Sequence, residues 1–381
     1  MDQSLATPPQ GRPRHAQTQP PRLAGLADQL LFPKLLRAGS VAARPERLVA
    51  AFLGLIVILG AGAYLNGDPE TVGPLGLTIQ SAELATTGVF VDIAGLDMPR
   101  LADRARQLLL ESPKAALTEA PVSSLLFVVI AACAWGIFGL FISRGAAMEL
   151  GRHIHIRPGR CFRFLGIKGF AAVASLLFTP IIAALLLLVP ALLGLLLAVP
   201  GLDVVGGLLY GIGVAASALS ALLLIVWLAA VWLAIPAVAC DGADVFDATQ
   251  RAIGMLLSKP LSILFHTVIV VIQGLVLVGL IWVVADLAVG FSTFAAGAFS
   301  ERAKAIVVDA PGEGSFAAGL VRVWRVVPWF IAASYAVSYA HTASVAVYLN
   351  ARKMVDGQEP SELWMPGDAA GVVEINSVEA E

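Results

Sequence analysis

Charge is scarce in this chain, and where it is missing matters more than where it is found. Only 14% of the 381 residues are Asp, Glu, Lys or Arg, and the windows 48–65, 122–142, 169–202, 204–240, 260–285 and 326–351 hold none at all. Each is long enough, or nearly so, to cross a hydrocarbon core of about 30 Å at about 1.5 Å per helical residue. With 58% apolar residues and a mean hydropathy of +0.83, the chain carries more apolar surface than water-soluble domains can hide. An ordinary globular protein is excluded, and six membrane crossings are predicted.

Other absences narrow the function. A formal net charge of -2 excludes a nucleic-acid partner held by bulk charge. Cys133, Cys161 and Cys240 fall in three separate segments, which argues against a disulfide-built exterior domain. There is no G-x-x-x-x-G-K-[ST], G-x-S-x-G, H-E-x-x-H or C-x-x-C, and Gly312-Glu-Gly314 does not precede a strand-to-helix unit. No cofactor or metal is therefore expected, and no enzyme, since no nucleophile is paired with a base. The first apolar run begins near Leu48 behind a polar arm, so it reads as a retained helix and not a cleaved leader.

Along the chain, residues 1–22 hold Pro8, Pro9, Pro13, Pro20 and Pro21 among Gln and Arg, a composition expected to stay disordered. Residues 23–47 carry Leu23, Leu26, Leu30 and Leu31 at helical spacing, then Leu35 and Leu36 after Pro33, with basic residues between. This suits an amphipathic segment on an anionic membrane surface. The membrane domain is expected over 48–351, with an exoplasmic loop at 66–121 and a basic loop after Ile142 carrying Arg144, Arg152, Arg157, Arg160, Arg163 and Lys168. Window 169–202 contains Pro180, Pro190 and Pro200, which leaves one kinked helix and a re-entrant break both open. An acidic, solvated tail is expected over 352–381.

With six crossings, the side holding both termini receives seventeen of the twenty-five Lys and Arg. Both termini are expected in the cytoplasm by the positive-inside rule. The fifth loop, with four basic residues against two in the fourth, is a local exception.

Ionisable groups at membrane depth are the default candidates for function, because hydrocarbon penalises them unless they meet a partner or water. His266 and Asp286 lie near opposite ends of their helix and on different sides, so a relay through both is not expected. His341 is deeper. It joins Ser334, Tyr335, Ser338, Tyr339 and Thr342 in a stripe at three- and four-residue spacing along the sixth helix. Ser334, Ser338, His341 and Thr342 are the candidate polar intramembrane face. Such a stripe either lines a path or supplies interhelical hydrogen bonds. His153, His155 and Cys161 match a metal set only weakly.

Between the fourth and fifth crossings lie Asp241, Gly242, Asp244, Phe246, Asp247 and Arg251, running on to Pro260. Helix physics accounts for the spacing. Asp241-Gly242 makes a turn, Asp244 is a candidate N-cap, Asp247 sits at the third helical position, and Arg251 is one turn beyond Asp247. A short amphipathic helix is predicted there, and a calcium loop is not. With Pro236, Ala248 and Pro260, these residues resemble a cytoplasmic D-G-x-D-x-F-D-A-x-x-R loop in a group of uncharacterised bacterial polytopic membrane proteins. The Phe32-Pro33-Lys34-Leu35-Leu36-Arg37 stretch is similar to that group as well. The chain departs from it at Gln250, where the group often has Ser. The resemblance implies no reaction.

The expected fold is all-α: a polytopic bundle of about six crossings in the bacterial cytoplasmic membrane. The expected role is non-enzymatic, organising partner proteins or lipids, with self-association as one form of partnership. The alternative is a permease or channel whose path follows the sixth helix.

Overall fold

The computed structural model describes residues 35–65, 98–107, 111–298 and 316–366, with a few isolated positions between them. Regular structure among the described residues is helical throughout: α1 (Ala38–Ala42), α2 (Pro45–Leu65), α3 (Met98–Arg106), α4 (Ser112–Glu119), α5 (Pro121–Arg152), α6 (Pro158–Leu197), α7 (Asp203–Ala230), α8 (Ala234–Asp241), α9 (Val245–Ser258), α10 (Pro260–Gly297) and α11 (Phe316–Asp356). Six helices are long and apolar enough to cross a membrane: α2, α5, α6, α10, α11, and α7 continued into α8 through the 3-10 turn Val231–Leu233. The chain is an all-α polytopic membrane protein.

Proline opens α2, α5, α6 and α10. Its φ is preset for a helix and the N–H it lacks would have had no partner in the first turn. Inside α6 two more prolines, Pro180 and Pro190, are absorbed without a break, so residues 169–197 of that window belong to one 40-residue helix. That helix is about 60 Å long, well beyond a hydrocarbon core. It stops before Pro200-Gly201, where Gly201 has φ +91°.

Helix α6 packs on α7 and α5, α2 packs between α5 and α11, and α10 packs on α11. Apolar side chains on the outer faces, such as Leu208, Leu275 and Leu195, are exposed, as lipid-facing residues are. Burial concentrates instead at one end of the bundle. There the run Ser143–Gly151 of α5, most of α8 and residues 342–352 of α11 are buried. Because Arg47, Arg144 and Arg352 lie in this region, we call it the basic end.

Two segments differ from the sequence expectations. Residues 143–152, expected as a loop, continue α5, and Ser143–Gly151 are buried. The described part of the expected surface segment has two sides: Leu35, Ala38, Val41 and Ala42 are buried, whereas Leu36, Arg37, Ser40 and Arg44 are exposed. Within the expected solvated tail, Leu363 is buried and residues 357–366 lie against the bundle. The arm 1–22, residues 23–34, most of the 66–121 loop, the Pro311-Gly-Glu-Gly314 turn and residues 367–381 lie outside the described residues.

Candidate functional site

The polar stripe of α11 faces a five-residue helix. In so short a helix the last carbonyls have no internal partner, and burial makes that costly. The neighbouring helices supply the donors. Tyr335 Oη donates to Gly39 O at 3.1 Å, Ser338 Oγ to Ala42 O at 2.7 Å, and Gln273 Nε2 of α10 to Leu36 O at 2.7 Å. Arg47 donates to Val41 O. Ser334 bonds back to Phe330 O within its own helix, and the buried Thr342 hydroxyl has no hydrogen-bond partner among the described residues. Two members of the stripe, Tyr335 and Ser338, are thus occupied in seating α1.

His341 has a different setting. Its ring is 4.7 Å from that of Trp135 and lies against Gly139, where any side chain would collide with the imidazole. The residue is 5% exposed, and neither ring nitrogen has a hydrogen-bond partner among the described residues. It forms part of the wall of a cleft of about 1070 Å³ between α10 and α11, backed by α5, α6 and α8. Trp135, Trp232 and Trp282 line it with aliphatic residues, and Tyr339, His341, Thr267 and Ser344 are its polar members. All three hydroxyls are taken: Tyr339 Oη donates to Val270 O at 2.6 Å, Ser344 Oγ to His341 O at 2.8 Å and Thr267 Oγ1 to Ile263 O at 2.7 Å. The α10 residues of the lining fall within the charge-free window 260–285, and Leu275 and Val283 on the cleft are exposed. The cleft therefore opens at membrane depth.

At the basic end, Asp241 is the centre of a buried node. Its side chain is 7% exposed and pairs with Arg352, which is 1% exposed, and with Arg251 at 3.1 Å. Tyr348 donates its hydroxyl to the same carboxylate. Gly242 caps α8 at φ +62°, a conformation that favours glycine. Asp247 pairs with Arg251 one turn on, at 3.0 Å. Burial disfavours the Arg251 charge, but the Asp247 hydrogen bond and the fields of Asp241 and Asp247 outweigh it and raise the guanidinium pKa. Asp244, the expected cap, makes no side-chain capping bond and takes Lys168 at 2.7 Å instead. Phe246 is exposed and packs edge-on to Phe178. Pro260 opens α10 directly after α9.

Residues 359–366 close over this node. Arg352 donates to Glu359 O and Glu362 O, Arg152 to Ser361 O and Leu363 O, and Arg144 to Trp364 O and Ala239 O. Trp364 N donates to Cys240 O at 2.9 Å. A second pair of charges ties α1 and α2 to α5: Glu149 accepts from Arg44 and Arg47, each at 2.8 Å. Sequence reasoning missed Arg47, Arg144, Glu149 and Arg352. The available signal was Glu149, the sole carboxylate between Ala120 and Asp203.

The remaining candidates are kept apart. His153 Nδ1 contacts Arg37, His155 lies 3.7 Å from Glu46, and Cys161 is buried. Among the described residues no three His, Cys, Asp or Glu are grouped as for a metal. His266 bonds Ser262 O of its own helix, and Asp286 is exposed at the far end of α10. No protein-family model matches the chain, and no curated protein or solved structure is significantly similar to it.

Proposed function

We propose that this is a non-enzymatic integral membrane protein of the bacterial cytoplasmic membrane that retains a lipid chain in the cleft between α10 and α11. The observation that carries this reading is the cleft itself, wide, largely apolar and open at membrane depth. An apolar wall at that depth suits an acyl or isoprenoid chain, and dispersion contacts with three indoles favour an ordered one. His341 adds the one polar group there whose ring nitrogens lack a protein partner. Leaving such a group unsatisfied in low dielectric is costly, so the favoured ligand carries a carbonyl or hydroxyl within its chain region. Both termini and the basic end belong in the cytoplasm on this reading, following the Lys and Arg census. The cytoplasmic loop and the tail fastened over it fit the D-G-x-D-x-F-D-A-x-x-R resemblance as a structural device.

A permease path along the sixth helix is less well supported, since Tyr335 and Ser338 are engaged in seating α1 and Ser334 and Tyr339 donate to backbone carbonyls. The test of lipid retention uses Gly279, which lies on the cleft and where an added Cβ meets nothing within 4 Å. Gly279→Phe should fill the space without disturbing the helices. Native mass spectrometry of the full chain, extracted in mild detergent, should show one retained lipid in the wild type and loss of it in the variant. Equal lipid in both proteins would defeat the proposal.

A further inference from the structure

At the basic end a second, smaller hollow of about 340 Å³ is lined by Arg144, Arg160, Arg163, Phe164 and Met365, among others. Three arginines line it, and no carboxylate among the described residues does. Arg144 is held in the floor by its bonds to Ala239 O and Trp364 O and lies over the Phe164 ring at 4.4 Å. Arg160 and Arg163, one turn apart on the first turns of α6, are exposed and have no ion-pair or side-chain hydrogen-bond partner among the described residues. Like charges at this spacing repel. A single anion between them would convert that repulsion into charge-assisted, bidentate hydrogen bonds, the contact that arginine makes best with phosphate. The start of a long helix adds its positive end to the same place.

From this geometry we infer that the hollow binds a phosphate group, and that the phosphate is that of an anionic lipid. Two features favour the membrane over a soluble phosphate. Met365 and Phe164 give the hollow an apolar wall suited to the carbon atoms next to a headgroup. On the same helix Phe162, Ile167 and Phe170 are exposed beside the basic turn, as residues dipping into the headgroup layer would be. This site is separate from the α10–α11 cleft, and its test does not depend on the cleft holding anything.

The test uses the full chain in discs of phosphatidylcholine doped with phosphatidylglycerol, with bound lipid counted by native mass spectrometry. The wild type should prefer phosphatidylglycerol. The double variant Arg160→Gln, Arg163→Gln should lose that preference by about tenfold or more. Arg157→Gln, equally exposed but outside the hollow, should keep it. All three substitutions are at exposed positions, so the bundle should melt as the wild type does. Inorganic phosphate separates the sources: binding that phosphate cannot compete away is lipid binding, whereas direct phosphate binding without lipid preference assigns the site to a soluble phosphate. The inference is overturned if the double variant retains the wild-type preference, or if Arg157→Gln loses as much, since diffuse positive charge would then explain the result.

Discussion

Asp241 and Arg352, 111 positions apart in the chain, form an ion pair whose side chains are 7% and 1% exposed. The pair joins the end of α8 to the end of α11, and the same guanidinium reaches onward to the carbonyls of Glu359 and Glu362. One arginine therefore connects two crossings and the segment that covers them. A carboxylate at this depth needs several donors to offset its desolvation, and Asp241 has three: Arg352, Arg251 and Tyr348.

Removing the carboxylate charge should expose this dependence. Asp241→Asn leaves the Arg352 charge buried without its partner, and breaking a buried pair in this way costs about 3–5 kcal/mol. Asp247→Asn, whose side chain is 47% exposed, should cost under about 1 kcal/mol. Thermal melting of the two variants in the same detergent checks the order. Similar losses from both would mean that the node is not under strain from burial.

The tail is fastened partly through the absence of a side chain. At Gly151 an added Cβ would strike the carbonyl oxygen of Pro360, which is backbone and has no rotamer to change. Gly151→Ala should loosen residues 357–366 while leaving the crossings intact. Cleavage after Glu362 by a glutamate-specific protease should then accelerate several-fold over the wild type. An unchanged cleavage rate would show that the Arg144 and Arg152 contacts hold the segment without close approach at Gly151.

The crossings were legible in the sequence because a bilayer imposes a length and forbids charge over it, so six charge-free windows correspond to six helices. The stripe on α11 was legible too, since three- and four-residue spacing survives in any helix. Its partner was not. A five-residue helix has no periodicity to detect, and Ala38–Ala42 became visible only through the donors aimed at its carbonyls. The basic end was hidden for another reason. Arg144 and Arg152 sit just past a window, where arginines are ordinarily solvated, and partners such as the carbonyls of Trp364 and Ser361 are more than 200 positions away. A charge census counts such residues correctly and says nothing about their burial.

If α11 uses its hydroxyls to seat α1, Ser338→Ala should destabilise the bundle by about 1–3 kcal/mol, because the buried Ala42 carbonyl loses its donor. Single cysteines at Ser338 and Thr342, both fully buried, should react slowly with membrane-impermeant thiol reagents in intact vesicles. Fast labelling at either position would require water at that depth and would favour the permease reading.

His341 distinguishes packing from ligand recognition. His341→Leu keeps a side chain of comparable size against Trp135 and Gly139, so melting should stay near the wild-type value. What the variant lacks is a hydrogen-bonding group on the cleft. A net hydrogen bond contributes about 0.5–1.5 kcal/mol, which corresponds to a loss of about two- to tenfold in affinity for a lipid bearing a carbonyl or hydroxyl in its chain. Binding of a plain hydrocarbon-chain lipid should change little. The comparison is made by competing the two lipids for the cleft in native mass spectrometry. A variant that melts far lower yet ranks the two lipids as the wild type does would assign the imidazole to packing alone, and the polarity of the cleft would then play no part in choosing its occupant.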